Sequence, residues 1–329
     1  LRGIGLADRP NVRFHDLAYD LFTASNQLRL GTELRRLDVD LYHSANYLIP
    51  FAPFPKGRAG RIRCAMTLHD LIPLLFPHFT PRAKKTRFHA VFRRVLREAA
   101  ARADLVLTPS AQSRRDVIEH LGAPADHPDR VRSIPEGVDA RYRVDEAVRR
   151  EPGTILFVGR FDPYKNLAGL IRAFANVRSG PCPAARLVVI GRPDPRYPEA
   201  QTLARELGVD DAVEWRGYVD GDDLVRAYQQ CAVYALLSHY EGFGLPVLEA
   251  MACGAPVVCS DRASLPEVAG DAARMVDPDD TEACAEAIAG ILNDPATAAD
   301  LSRRGVERAA AFTWDRTARE TLAAFEDVL

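Results

Sequence analysis

The sequence predicts an α/β protein built as two doubly wound, Rossmann-like domains that face each other across a cleft. Three observations carry the prediction. Short apolar, β-branched runs alternate with amphipathic stretches along the chain, the pattern of parallel sheets with helices on their faces. At 329 residues the chain is too long for one ordinary domain and about right for two cores. The composition, 47% hydrophobic and 27% charged, is globular, and no apolar run approaches the roughly 20 residues that span a bilayer.

In the first half, residues 11–15 read as extended, 25–37 as a helix, 39–43 and 62–68 as strands, 82–102 as a helix, 105–108 as a strand, 110–121 as a helix and 131–134 as a strand. Ser110 suits the N-cap of its helix, where a hydroxyl can accept from an unpaired N–H of the first turn. Residues 139–152 are charged and lack an apolar period, as an interdomain linker does. In the second half, strands are expected at 154–158, 186–190, 212–215, 232–237, 256–259 and 274–276, each followed by a helical stretch. After Asn166, the residues Leu167, Leu170, Ile171, Phe174 and Val177 recur at the three/four spacing of one buried helix face. Helices at 281–292, 296–311 and 313–329 close the chain. The expected division is an N-terminal domain at 1–140, a linker at 141–152, a C-terminal domain at 153–312 and a terminal helix at 313–329.

A net charge of −2 exerts no general pull on polyanions, so no nucleic-acid partner is expected. The six cysteines are scattered without a C-x-x-C pair, which fits a reducing, cytoplasmic setting and argues against zinc. Asp38-Val39-Asp40 and Asp277-Pro278-Asp279-Asp280 lack the further oxygen ligands of a magnesium site. One segment departs from the neutral average. From Pro81 to Arg102, eight basic residues (Arg82, Lys84, Lys85, Arg87, Arg93, Arg94, Arg97, Arg102) accompany a single acid, Glu98. Phe88, Val91, Phe92, Val95, Leu96 and Ala99 supply an apolar face. Two readings fit this periodicity: a helix lying on an anionic membrane, peripheral at the inner face of the plasma membrane, and a sheet-packed helix with a solvated basic face.

The stretch Ser238-His239-Tyr240-Glu241-Gly242-Phe243-Gly244-Leu245-Pro246-Val247-Leu248-Glu249-Ala250-Met251 follows a short apolar run and concentrates glycines, two carboxylates and a helix-starting proline. Strand, glycine turn and helix make a phosphate-binding geometry, because the first N–H groups of a helix lack internal partners and carry the positive end of its dipole. Gly242 and Gly244 permit close approach, and Pro246 suits the first helical turn. Glu241 and Glu249 can each accept two hydrogen bonds from the vicinal hydroxyls of a sugar. The simpler alternative leaves Glu249 complementing the helix dipole and Glu241 in solvent. A second turn, Phe157-Val158-Gly159-Arg160-Phe161-Asp162-Pro163-Tyr164-Lys165-Asn166-Leu167, offers Arg160 and Lys165 as phosphate binders or as plain surface cations. Met66-Thr67-Leu68-His69-Asp70-Leu71-Ile72-Pro73 puts a His-Asp pair at a strand's carboxyl end, where open α/β sites form, although a lone histidine is more often structural.

Glu241-x7-Glu249 with the intervening Gly-Phe-Gly-Leu-Pro, followed by Ala250-Met251-Ala252-Cys253-Gly254-Ala255-Pro256-Val257-Val258, resembles the signature of the family 4 retaining glycosyltransferases of the GT-B fold. Gly159-Arg160-x4-Lys165-Asn166 resembles that family's cationic element. His69-Asp70-Leu71-Ile72-Pro73 resembles the loop that the mannosyltransferase-B-like branch directs at the transferred sugar. Ile134-Pro135-Glu136-Gly137-Val138-Asp139 resembles its Pro-Asn-Gly-Val-Asp turn, with Glu136 in place of the usual asparagine, a departure that weakens any polar role at position 136. Arg216-Gly217-Tyr218-Val219 resembles the loop whose backbone meets the nucleotide base, and an ordinary strand-to-helix turn explains it nearly as well.

The resemblance implies a nucleotide-diphosphate sugar held by the C-terminal domain and an acceptor received by the N-terminal one. It implies catalytic roles for His69, Glu241, Arg160 and Lys165, and donor binding by Gly159, Gly217, Tyr218, Val219, Gly242, Phe243, Gly244, Leu245 and Glu249. No cofactor or required metal is implied. The expected reaction is retaining transfer of a hexose, mannose-like first, to a glycan or lipid-linked saccharide in cell-surface polysaccharide synthesis. The alternatives are a GT-B sugar-nucleotide epimerase or hydrolase, and a non-catalytic nucleotide-sugar-binding fragment. Family members begin with a strand and a glycine-containing loop that are not found before Val12, so N-terminal sequence is expected to be missing ahead of Leu1.

Overall fold

The computed structural model describes residues 9–17, 24–57, 60–79, 84–122 and 128–329, which form two parallel sheets. The Gly3-Ile4-Gly5 opening and the residues Pro81 and Arg82 lie outside the described residues, and residues 11–15 form no strand.

The first sheet holds β1 (Leu41–Ser44), β2 (Arg63–Thr67), β3 (Leu105–Thr108) and β4 (Val131–Ser133), parallel and in that order. Successive side chains of a strand point to opposite faces, and here the two faces have different covers. Cys64, Met66 and Val106 pack with Leu30 and Leu34 of helix Ala24–Arg36, Leu96 and Ala99 of helix His89–Arg102, and Val117 and Leu121 of helix Ala111–Leu121. Ala65, Leu105 and Leu107 pack with Ala324 and Phe325 of helix Trp314–Glu326. The last helix of the chain thus completes the core of the first sheet.

The second sheet contains β5 (Glu151–Val158), β6 (Arg186–Ile190), β7 (Val213–Trp215), β8 (Cys231–Leu236), β9 (Val257–Ser260) and β10 (Arg274–Val276). Their spatial order is β10-β9-β8-β5-β6-β7, all parallel, which is the doubly wound order with its reversal between β5 and β8. The apolar run of β8 is sealed on both faces, with Val233, Tyr234, Ala235 and Leu236 fully buried. Helix Leu167–Ser179 buries the face its spacing predicts, and its N-cap Asn166 accepts from the Gly169 N–H. Ser110 likewise accepts from the Ser113 N–H at the start of helix Ala111–Leu121.

β5 opens at Glu151, inside the segment expected as a linker, because Glu151 pairs with Cys231 of β8. The chain ahead of it is held down. Tyr142 is buried with its ring 5.9 Å from that of Tyr228. The Val138 N–H donates to the Phe312 carbonyl at 3.0 Å, where the chain returns towards its last helix. A Cβ on Gly137 would stand 2.2 Å from the Trp314 nitrogen, so the crossing requires glycine.

The helix expected over 82–102 is broken into Lys84–Arg87 and His89–Arg102 by the non-helical backbone of Phe88. Leu96, Ala99 and Ala100 are buried as the amphipathic pattern requires. Phe88 and Val91, assigned to the same apolar face, are instead 63% and 62% exposed: Phe88 stands in the break, and Val91, in the same helix as Leu96 and Ala99, points away from the stripe they bury. Phe88 and Val91 stand among the exposed Arg87, Arg93 and Arg94. Among the described residues, no helix is long and apolar enough to cross a membrane.

Candidate functional site

In an open doubly wound sheet, ligands bind beyond the carboxyl ends of the strands where the order reverses. The loops leaving β5 and β8, on either side of the reversal, carry Lys165 and Glu241. Lys165 Nζ donates to both Glu241 carboxylate oxygens, at 2.8 and 2.9 Å, and the two side chains are only 11% and 8% exposed. Burial works against the lysine's charge, but Glu241 and Tyr164 outweigh it and raise the lysine's pKa. The ion pair is therefore largely shielded from solvent. The two loops are tied together. The His239 N–H donates to the Tyr164 carbonyl at 2.8 Å, and the Ser238 hydroxyl donates to Glu241 Oε1 at 2.6 Å. The buried Ser264 hydroxyl lies 2.9 and 2.6 Å from the carbonyls of Glu241 and Phe243.

The remaining residues expected on this domain fall into three groups. Gly159, Gly191 and Gly217 line one rim: the Gly159 N–H donates to the Ile190 carbonyl and the Gly191 N–H to the Gly217 carbonyl. Gly217 has open space where a side chain would go, Tyr218 is 70% exposed, and Val219 packs on the edge of the core. Arg160 stands on the same rim but is 74% exposed and paired with Asp162 at 2.6 Å, so it does not join the Lys165–Glu241 pair. Phe243 is buried against Phe312 and supports the turn from beneath. Gly244 adopts φ +116°, which favours glycine, immediately before Leu245 opens helix Leu245–Ala252.

Glu249 is drawn elsewhere. It accepts from the Tyr228 hydroxyl at 2.9 Å and from Tyr142, while burial raises its pKa. Tyr234 feels both Glu241 and Glu249, and its hydroxyl is buried without a hydrogen-bond partner among the described residues. All six cysteines are unpaired. Among the described residues, no group of three or more His, Cys, Asp or Glu side chains could hold a metal ion.

The other domain reaches this site from across the cleft. A Cβ on Gly242 would stand 2.3 Å from the His69 carbonyl oxygen, so that glycine serves the contact between domains. Ser110 and Ser113 donate to the Gly242 carbonyl at 2.6 and 3.0 Å. Glu267 accepts from the Ala111 N–H through both oxygens, at 3.0 and 2.9 Å. The Tyr240 hydroxyl donates to Asp116, and Phe79 stacks on His239. The first turn of helix Ala111–Leu121 therefore grips the turn that carries Glu241. Sequence reasoning found Ser110 only as an N-cap, since its second partner lies 132 residues away and leaves no local pattern.

Asp70 accepts from the Ile72 N–H at 2.9 Å, a turn-forming role. Position 136 corrects an expectation. The glutamate there does not lose a polar role but gains one, with Oε1 lying 3.2 Å from His69 Nδ1. That hydrogen bond raises the histidine's pKa above its ordinary 6.5, against the opposing effect of burial.

A family model for group 1 glycosyl transferases matches residues 139–308, and one for glycosyltransferase family 4 matches residues 3–142. O-antigen chain mannosyltransferase B of Escherichia coli is 29% identical over 326 residues, covering 96% of this chain and 81% of that protein. D-inositol 3-phosphate glycosyltransferase of Acidothermus cellulolyticus is 36% identical over 257 residues, 72% of this chain, and the chain spans only 56% of that relative's length. Among solved structures, sucrose-phosphate synthase from Thermosynechococcus elongatus matches with a TM-score of 0.76 at 24% identity, over 92% of this chain and 77% of that one. Anabaena HepE, solved in complex with UDP-glucose, matches with a TM-score of 0.74 at 19% identity, over 92% and 82%. At these identities the structural likeness is one of fold.

Proposed function

The chain belongs to the group 1 and family 4 glycosyltransferases of the GT-B fold, and from that premise we propose that it moves a hexose, with retention, from a nucleotide-diphosphate sugar to a glycan or lipid-linked saccharide. The observation that carries the reading is the buried Lys165–Glu241 pair at the β5/β8 reversal, beside the start of helix Leu245–Ala252. The donor pyrophosphate would lie at that helix start, taking over Lys165 and drawing in Arg160. Glu241, released from the lysine, would accept from the sugar hydroxyls. Glu249 would exchange a phenol for the ribose hydroxyls, and the base would rest on the backbone of 217–219. His69 would meet the sugar from the opposite lip.

Transfer would then break the bond from the anomeric carbon to the donor phosphate and form one to the acceptor oxygen on the same face. The acceptor's proton passes to the departing phosphate, and the nucleoside diphosphate leaves. The negative charge that develops there meets Lys165, Arg160 and the helix end already in place, the preorganised stabilisation that dominates many enzymes. No cofactor or metal is required in this reading. The E. coli relative's name favours mannose as the sugar and a cell-surface polysaccharide as the destination. Given donor and acceptor, the protein should release nucleoside diphosphate only when the acceptor is present, and proton NMR should show the donor's anomeric configuration in the product. Release without acceptor would identify a hydrolase, an altered sugar without release an epimerase, and an inverted product would refute retention.

A lipid-linked acceptor would be met at a cytoplasmic membrane surface. Exposed Phe88 and Val91 among Arg87, Arg93 and Arg94 support contact there. Apolar side chains enter the interface, and each cation near anionic headgroups adds on the order of 1 kcal/mol. Co-sedimentation with phosphatidylglycerol vesicles should fall several-fold in a Phe88→Ser/Val91→Ser variant. Equal sedimentation with wholly zwitterionic vesicles would end this part of the reading.

A further inference from the structure

We propose that Glu136 is the positioning residue for His69, fixing the orientation and charge of the imidazole on the acceptor-side lip, and that the returning C-terminal pass of the chain holds Glu136 in place. The proposal rests on the transferase reading above. Glu136 is 17% exposed and His69 55%, so an anchored carboxylate holds an accessible ring. Both flanks of Glu136 are clamped by the segment entering helix Trp314–Glu326. The Thr317 hydroxyl donates to the Pro135 carbonyl at 2.7 Å. Gly137 abuts the backbone of Thr313 and Trp314, and Val138 is bonded to Phe312. The backbone on either side of Glu136 is fixed, so its largely buried carboxylate is presented to the His69 ring from an anchored base.

A carboxylate facing Nδ1 also selects the tautomer, since Nδ1 carries the proton whether the ring is neutral or charged. The other groups around the ring are Asp70 and the Ala45 carbonyl, which favour the imidazolium. His43 of β1 lies on the same side, its own pKa lowered by burial and then by His69. The sign follows. The pair's contribution to stability is complete below 6.5 and is lost as pH rises through the folded-state pKa. If the imidazolium is the form that meets the sugar, transfer falls over the same interval.

The test is an NMR titration of the His69 ring signals, assigned by their loss in His69→Gln, run beside a pH profile of transfer. In Glu136→Gln, which keeps an acceptor but removes the charge, the His69 midpoint and the alkaline limb of kcat should both move to lower pH. Glu136→Asp should lie between that variant and the parent. Glu136→Ala should lower kcat about tenfold or more, as misplacement of a positioning group does, while nucleoside diphosphate affinity on the other domain is unchanged. A His69 midpoint identical in the parent and Glu136→Gln would overturn the proposal, whatever the activity. A parent that transfers no sugar would instead count against the transferase reading, and the titration would still decide the role of Glu136.

Discussion

Lys165→Ala should abolish measurable sugar transfer and also destabilise the protein by about 3–5 kcal/mol, the usual result of removing one partner of a buried ion pair. Both effects come from the same geometry. Glu241 loses the two hydrogen bonds that Lys165 supplies and, among the described residues, keeps the one from Ser238, and in the proposed complex the donor phosphate loses the cation at the strand reversal. The two effects can be separated. A Lys165→Met/Glu241→Leu double variant removes both charges and should recover most of the stability in urea denaturation, because apolar replacements of buried pairs are often neutral. It should remain inactive. Parental stability and turnover in Lys165→Ala would refute the pairing and its role together.

Gly242→Ala should have the next largest effect, and through the contact between domains. The added methyl would lie 2.3 Å from a backbone oxygen, that of His69, which cannot rotate away as a side chain could. Overpacking of this kind costs about 1–3 kcal/mol, and the displaced Gly242 carbonyl would also lose the Ser110 and Ser113 hydroxyls. Transfer should fall at least tenfold, while nucleoside diphosphate binding, which the proposed function assigns to the second domain, should survive. A Ser110→Ala/Ser113→Ala variant should show a milder form, at about 1 kcal/mol for each hydrogen bond. Full transfer by Gly242→Ala would show that the two domains need not meet there.

The parts of the fold that were legible in the sequence are those whose cause is local. The buried run of β8, the helix face from Leu167 to Val177 and the caps at Ser110 and Asn166 follow from residues within a few positions of one another. Lys165 and Glu241 were each singled out from the sequence as candidate site residues. Their mutual bond was not, because 76 residues separate them and only the strand order of the second sheet brings them together. The same applies to the Glu136–His69 bond, across 67 residues, and to Glu267 on the Ala111 N–H, across 156. Gly242 was legible as a glycine that something must approach closely. That the visitor is the other domain's backbone is a fact of tertiary structure. The helix Trp314–Glu326 was visible as a helix, but its helical pattern does not say that it covers the first sheet. Phe88 was misplaced because one helical period was run through a break that the local sequence does not mark, and Val91 because an apolar residue was counted on the buried face although it lies off the Leu96–Ala99 stripe of its own helix.

The central claim is that the crevice at the β5/β8 reversal holds a nucleotide-diphosphate sugar. The most direct measurement is calorimetric titration of the protein with a panel of nucleotide-diphosphate hexoses, repeated with Lys165→Ala and Glu249→Ala. At least one sugar nucleotide should bind the parent at one site per chain, with affinity at least about tenfold weaker in each variant, as expected when a charge-assisted contact is lost. A panel in which nothing binds the parent, or in which both variants bind as tightly as the parent, would contradict it.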